Sequence, residues 1–451
     1  MASSRKLSLT NLSERLAAQL APLLPARSSI LIGLSGGVDS VVLLHLLSNL
    51  APRFSWRLSA LHVHHGISRN ADVWADFCTG LCVQHVTPLH IERVDIAPLR
   101  EQGIEAAARK LRHAAFARQP VDFVALAHHA DDQAETLLLQ LLRGAGVRGV
   151  SAMPLVKRVI QHAPSTPVLL RPLLDIPRSV LLDYAQQHGL HWVEDESNAD
   201  DSYPRNFLRH RVLPLLEQKF PAYRDTLARS VRHFAEAGEL LDDLARLDAQ
   251  NGFDGATLAI ARLAELGTVR AKNLLRWFLH SQGAPMPQTV QLDDMLRQLC
   301  GARQDAAVCV EYGCWQVYRY CNRVYVCRAL PEVGAGWRMP WSGEEELILP
   351  QLGGVLHFVR CTGDGLSLEK LAATPVTIRL RSGGETLRPH PNAATHTLKN
   401  LLQEQHVPPW QRERLPLLYC GDKLVCVPGV ATAAEYRAAK DEVGVTVSWV
   451  C

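Results

Sequence analysis

Residues 28–47 read SSILIGLSGGVDSVVLLHLL, and the order of textures in this stretch decides the fold. Ser28–Leu34 has the aliphatic character of a short buried strand. Ser35-Gly36-Gly37-Val38-Asp39-Ser40 follows directly, and Asp39–Leu50 carries helical periodicity. Two adjacent glycines between a strand and a helix let backbone N–H groups approach a phosphate with no Cβ in the way. The helix start adds its positive dipole end. Ser35 and Ser40 offer hydroxyl donors, and Asp39 is placed to hold a magnesium ion bridging phosphate oxygens. The lysine-bearing loop G-x-x-x-x-G-K followed by Ser or Thr is absent from the sequence.

Working outward, strand and helix textures alternate. Arg57–Val63, Leu89–Val94 and Val121–Ala127 read as strands, and Asp72–His85, Ile104–Phe116 and Gln133–Leu142 as helices. Four β–α units in succession predict a doubly wound parallel sheet with ligands at the carboxyl ends of its strands. Gly144-Ala145-Gly146-Val147-Arg148-Gly149 fits a dinucleotide fingerprint but follows a helix, so it reads as a helix-ending loop. From Pro154 to Pro177 the pattern loosens into proline-punctuated connections, and Ser179–His188 resumes as helix with Gly189 in a C′ position. A small helical, α+β middle region and a strand-rich tail follow. The expected domains are 1–222, 223–330 and 331–451.

Composition sets outer bounds. The 451 residues are 47% hydrophobic and 21% charged, with a net charge of +3, which excludes a globally basic nucleic-acid coat. No apolar run is long enough to cross a bilayer, and Leu12, Leu16, Leu20 and Leu24 recur at helical spacing rather than as a targeting core. Eleven cysteines without framework spacing favour free thiols and a cytoplasmic location. Cys78 and Cys82 read as helix packing residues.

Asp131, Asp132 and Glu135 fall on the first turn of a helix after the fourth strand, with His128 and His129 before them. Paired carboxylates at i and i+3 suit an ammonium group or a proton transfer; N-capping alone is the alternative. Arg109 and Arg112 share a helix face and suit phosphates, or a solvated face. Tyr203–Arg232 is locally basic after the acidic run Glu194–Asp201. Arg205 and Arg209 suit phosphate contacts, or salt bridges to that acidic run. Trp410 amid Arg379, Arg381, Arg388, Lys399, Arg412 and Arg414 suits an RNA-binding face.

The S-G-G-V-D-S loop resembles that of the PP-loop ATP pyrophosphatases, which split ATP between its α and β phosphates. Within them the chain resembles the bacterial tRNA(Ile)-lysidine synthetases. The resemblance is carried by His62-Val63-His64-His65-Gly66 (His64 standing where the family usually has Asn), Ala127–Thr136 with Leu142–Gly146, Arg205–His210, Leu380–Glu385 and Val407–Leu417. It implies a ligase that adenylates the C2 oxygen of the wobble cytidine in the CAU anticodon of isoleucine tRNA and then displaces AMP with lysine. It implies ATP binding by Ser35, Gly36, Gly37, Val38, Asp39, Ser40, His65 and Arg109, magnesium on Asp39, and catalytic roles for Asp39, Asp132, Glu135 and Arg205. Lysine would bind Asp132 and Glu135. A homodimer is left open. The alternatives are tRNA thiolation, for which no C-x-x-C is present, and a non-enzymatic tRNA-binding module.

Overall fold

The computed structural model describes residues 12–98, 103–157, 166–303, 306, 308–334, 336–392 and 394–450. The chain forms two compact units, one running up to Asp248 with His280–Gly283, the other comprising Ala249–Leu279 and the residues from Ala284 onward. Residues 223–248 therefore belong to the first unit by contact, and the middle and tail share the second.

In the first unit the elements run α1 (Leu12–Leu20), β1 (Ser29–Gly33), α2 (Val38–Phe54), β2 (Arg57–His64), α3 (Ala71–Gln84), β3 (Leu89–Arg93), α4 (Ile104–Ala117) and β4 (Phe123–Ala125). Then come α5 (Ala130–Leu142), α6 (Val147–Val150), β5 (Val156–Lys157), β6 (Val168–Leu170) and α7 (Arg178–Gln187). Last are α8 (Pro204–Phe207), a π-helical turn at Leu208–Val212, α9 (Leu213–Lys219) and α10 (Tyr223–Ala249). The strands form one sheet in the order β3-β2-β1-β4-β6-β5, and all neighbours are parallel except β5 with β6.

The alternation of β1 explains the two covered faces. Ile30 and Ile32 enter a core with Leu16, Leu43, Leu47, Leu181 and Tyr184. Leu31 points the other way, into a smaller core with Leu61, Phe116, Val124 and Leu169. A parallel sheet buried on both faces needs such near-continuous apolar strands. Gly33 sits where a Cβ would lie 2.8 Å from Leu126 and 2.9 Å from the Phe116 ring, so α4 closes over the end of β1.

The doubly wound parallel sheet matches the expectation, with one addition. The segment read as loose connections contributes β6 and the antiparallel β5. Strands of three and two residues are too short to display an alternation.

In the second unit, helices Ile260–Glu265 and Thr289–Gly301, with Thr268–Ser281 up to Leu279, accompany an antiparallel sheet containing Val308–Tyr312, Trp315–Tyr320 and Arg323–Arg328. Among the described residues the tail holds two larger antiparallel sheets and a two-stranded one, Thr386–Leu387 with His396–Thr397. Leu349, Leu356 and Phe358 of one larger sheet meet Ile378, Leu418 and Val425 of the other. Leu417–Cys420 and Lys423–Val427 form a hairpin, with Gly421 at φ 60° in its turn.

Candidate active site

The carboxyl ends of β1, β2 and β4 open into a cavity of about 1240 Å³ in the first unit. Its floor is the loop between β1 and α2. Ser40 Oγ accepts from the N–H groups of Ser35 and Gly36, both at 3.2 Å, and donates to the Gly37 carbonyl at 2.9 Å. Gly36 has φ +89°, and a Cβ there would lie 2.8 Å from Val193. The Gly36 carbonyl accepts from the Val193 N–H at 3.0 Å. Only glycine meets both conditions, since a left-handed φ costs an ordinary residue about 1–2 kcal/mol.

Asp39 stands on the first turn of α2, and its Oδ1 is buried without a hydrogen-bond partner. An anionic oxygen left so is a costly feature unless a cation or donor completes it. Its other oxygen lies 3.6 Å from His129 Nε2, and that nitrogen lies 3.4 Å from Asp132 Oδ2. His129 is 2% exposed and caps α5, its backbone N–H donating to Asp132 Oδ2 at 3.0 Å. Burial alone would lower the His129 pKa, but Asp39, Asp132 and Asp131 together raise it.

The expected carboxylate pair is present, and two arginines hold it. Glu135 is fully buried; its Oε2 accepts from Arg205 Nε at 2.6 Å and its Oε1 from Arg209 Nε at 2.7 Å. Asp132 Oδ1 lies 3.1 Å from Arg205 Nη2 and 3.4 Å from Arg209 Nη2. Two acids and two guanidiniums thus form a neutral quartet, each charge compensated as a buried group requires. Burial pushes the Asp132 pKa up, and His129 and Arg205 more than reverse this, leaving it below the ordinary value. Asp132 also takes part in the cap through Oδ2, the alternative use, while the arginines hold its Oδ1.

Arg205 and Arg209 sit one helical turn apart across the π-helical turn, a distortion that recurs at functional sites. The alternative pairing with the acidic run is not what forms. Asp201 of that run binds Arg211 and His210 instead, each at 2.7 Å. Asn206, between the two arginines, anchors the same loop by donating to the Ser197 and Asp200 carbonyls, both at 2.9 Å. Asp131 is a structural tie: it accepts from the Arg178 N–H at 2.8 Å and from Arg224 Nε at 2.6 Å.

His65 lines the cavity with its Nδ1 buried and unpartnered, and burial together with Arg112 lowers its pKa to about 4. His64 is turned to Asp72 at 3.2 Å. Arg112 lines the cavity; Arg109 is exposed on α4, and its charge acts on His113, His128, Lys157 and Arg171. Cys78 and Cys82 are packed in the core, and burial pushes their thiols up to about 12 and about 11.

The tail departs from the expected open face. Trp410 stacks on Tyr318 with ring centres 3.9 Å apart. Arg412 donates to Tyr320 at 3.1 Å, and Arg414 to the Leu330 and Pro331 carbonyls at 2.9 and 3.0 Å. These side chains join the middle region to the tail within one unit. Single residues of this kind carry no pairing signal in sequence.

The glycine loop, the helix start behind it and the parallel sheet define a PP-loop nucleotide-binding domain, and the model of that domain matches residues 9–216. Two further models match, the TilS substrate binding domain over residues 258–325 and the TilS substrate C-terminal domain over residues 376–449. The tRNA(Ile)-lysidine synthase of Nitrosomonas europaea is 43% identical over 100% of this chain and 98% of its own. That of Azoarcus sp. is 43% identical over 94% of this chain and 92% of its own, and that of Coxiella burnetii 38% over 93% of each. The chain belongs to the tRNA(Ile)-lysidine synthase family.

Proposed function

We propose that this chain joins lysine to C2 of the wobble cytidine in the CAU anticodon of isoleucine tRNA, at the expense of ATP. The observation that supports this most directly is the unbroken line of groups from Asp39 through His129 and Asp132 to Glu135, Arg205 and Arg209. It sets a phosphate-binding loop beside a carboxylate pair, as a phosphate activation followed by attack of an amine requires.

In the first step the cytidine C2 oxygen attacks the α phosphorus of ATP and pyrophosphate leaves. The α2 N-terminus takes the phosphates, and the backbone N–H groups of Ser35, Gly36 and Gly37, which in this structure donate to the Ser40 and Ser35 hydroxyls, turn to them when ATP binds. The buried, unpartnered Asp39 oxygen fits a magnesium ion, which when bound neutralises charge on the phosphate oxygens. His65 and Arg112, which line the cavity, complete the proposed ATP contacts in place of the expected Arg109, which does not line it, with Val38 packing beneath the loop. In the second step the lysine ε-amine attacks C2 and AMP leaves. Asp132 and Glu135 bind an ammonium group of lysine in place of the guanidiniums that now neutralise them. The lowered Asp132 pKa suits it to holding a cation rather than to accepting a proton, since a base works best with a pKa near the working pH. Arg205 and Arg209, once displaced, face the adenylate phosphate.

The middle and C-terminal regions, 223–330 and 331–451, take the tRNA in this reading. Thiolation has no support here: Cys78 and Cys82 are buried thiols rather than reactive thiolates. The test is transfer of labelled lysine to unmodified isoleucine tRNA with a CAU anticodon, using methionine tRNA as control. Label on the isoleucine tRNA alone is the expected result; pyrophosphate release without label points to another acceptor.

A further inference from the structure

Arg171, the residue after β6, is 4% exposed, and its Nε is buried without a hydrogen-bond partner while Nη1 donates to the Pro154 carbonyl at 2.8 Å. A buried guanidinium edge with no acceptor is costly and calls for one. Strand register shows what surrounds it. Leu169 of β6 points into the core beneath α4, with Ala115 and Phe116. Arg171, two residues on, leaves the same face, and Lys157 of β5, paired with Leu169, shares that face. On α4, Arg109, His113 and Phe116 follow one stripe, so the two polar residues precede the packed ring along the helix. The neighbouring charges acting on Lys157 are Arg171 and Arg109, and those acting on His113 are Arg109, Arg112, Arg171 and Lys157.

We infer that Arg171 and Lys157, with Arg109 beside them, form a phosphate subsite at the carboxyl end of β6 that takes a backbone phosphate of the bound tRNA. Two features favour the polynucleotide over pyrophosphate. The sheet order puts β4 between β1 and β6, about 10 Å from the loop that faces the ATP phosphates. Lys157 and Arg109 are exposed, open to a large polyanion, with the buried Arg171 behind them. His128, whose Nδ1 is also buried and unpartnered, lies within reach of the charges of both Arg171 and Asp132. The subsite therefore borders the catalytic quartet, and a phosphate held there positions the wobble nucleotide.

This inference rests on the lysidine reading, and the test separates the two. Binding of unmodified isoleucine tRNA is measured against salt for the full chain, Lys157→Ala, Lys157→Arg and Arg171→Lys, with ATP affinity and inhibition by inorganic pyrophosphate measured in parallel. Lys157→Ala is expected to weaken tRNA binding several-fold and to reduce the salt slope by about 0.7–0.9, as for one lost phosphate contact. Lys157→Arg should retain both, and ATP affinity and pyrophosphate inhibition should not move. Unchanged tRNA affinity and slope in both Lys157→Ala and Arg171→Lys overturns the subsite, as does a loss confined to ATP or pyrophosphate. Failure of the unsubstituted chain to transfer lysine while it still binds tRNA overturns the reaction and not the subsite.

Discussion

Arg205 Nε donates to Glu135 Oε2 at 2.6 Å across 70 residues of sequence. With the matching contact from Arg209, it makes a fully buried acid the anchor of the segment that follows the acidic run. The carboxylate that resembles a lysine ligand is thus also a folding contact, and the two roles separate experimentally.

Glu135→Gln leaves two guanidiniums facing a neutral amide. Breaking a buried pair from one side costs about 3–5 kcal/mol, and the partial exposure of both arginines places the loss near the lower end. Thermal unfolding should show a lowered Tm. The lysine concentration needed for half-maximal transfer should rise, while ATP affinity stays close to its original value. Unchanged lysine dependence would show that Glu135 serves the fold alone.

Arg205→Lys keeps the charge and loses the fork that reaches Glu135 and Asp132 together. Once lysine displaces it, the fork faces the adenylate phosphate, and a charge-assisted hydrogen bond lost there, worth about 1.5–3 kcal/mol, corresponds to roughly a 10- to 100-fold slower lysine transfer. Single-turnover transfer rates at saturating ATP check this, with Tm as the control for folding.

Asp39→Asn preserves shape and removes the anionic oxygen that lacks a partner. Pyrophosphate release should fall at least about a hundredfold, and raising magnesium should not restore it. The same change should lower the His129 pKa, because Asp39 is among the groups that raise it; NMR titration of the ring reads that shift.

Gly36→Ala must accept φ +89° and a methyl 2.8 Å from Val193. The strain is about 1–2 kcal/mol, and the displaced loop loses its aligned N–H groups. ATP affinity should drop more than Tm does. A variant binding ATP as tightly as the parent would show that the loop tolerates the side chain.

Stability should fall on mild acidification. His65 and His113 have pKa values lowered to about 4 and His128 to about 3, each with burial as the largest cause, against 6.5 when free. Between those limits the unfolded chain binds protons that the folded chain does not, so stability drops as pH falls from 6.5 toward 4. His129 has the opposite sign: its raised pKa contributes stability that is lost as pH rises through its folded value. Chemical denaturation at a series of pH values should show the acid-side loss, reduced by His65→Asn.

The local parts of this protein were legible in its sequence. The run from Ser28 to Ser40 specifies strand, turn and helix because apolar texture, adjacent glycines and a polar helix start are properties of consecutive residues. The same holds for the first turn of α5, where Asp132 and Glu135 share a face by helical spacing. Which charge meets which was decided only on folding. Arg205 and Arg209 had an acidic run beside them in sequence, yet they reach Glu135 from 70 and 74 residues away. The strands β5 and β6 are too short to announce themselves, and they exist because a neighbouring edge offers hydrogen bonds. Arg171 reads as one basic residue among many until the register of β6 buries it. Trp410 looked open to a base until Tyr318 covered it. Periodicity and turn chemistry act over a few residues and are written in the sequence; burial and ion pairing depend on what the rest of the chain brings alongside.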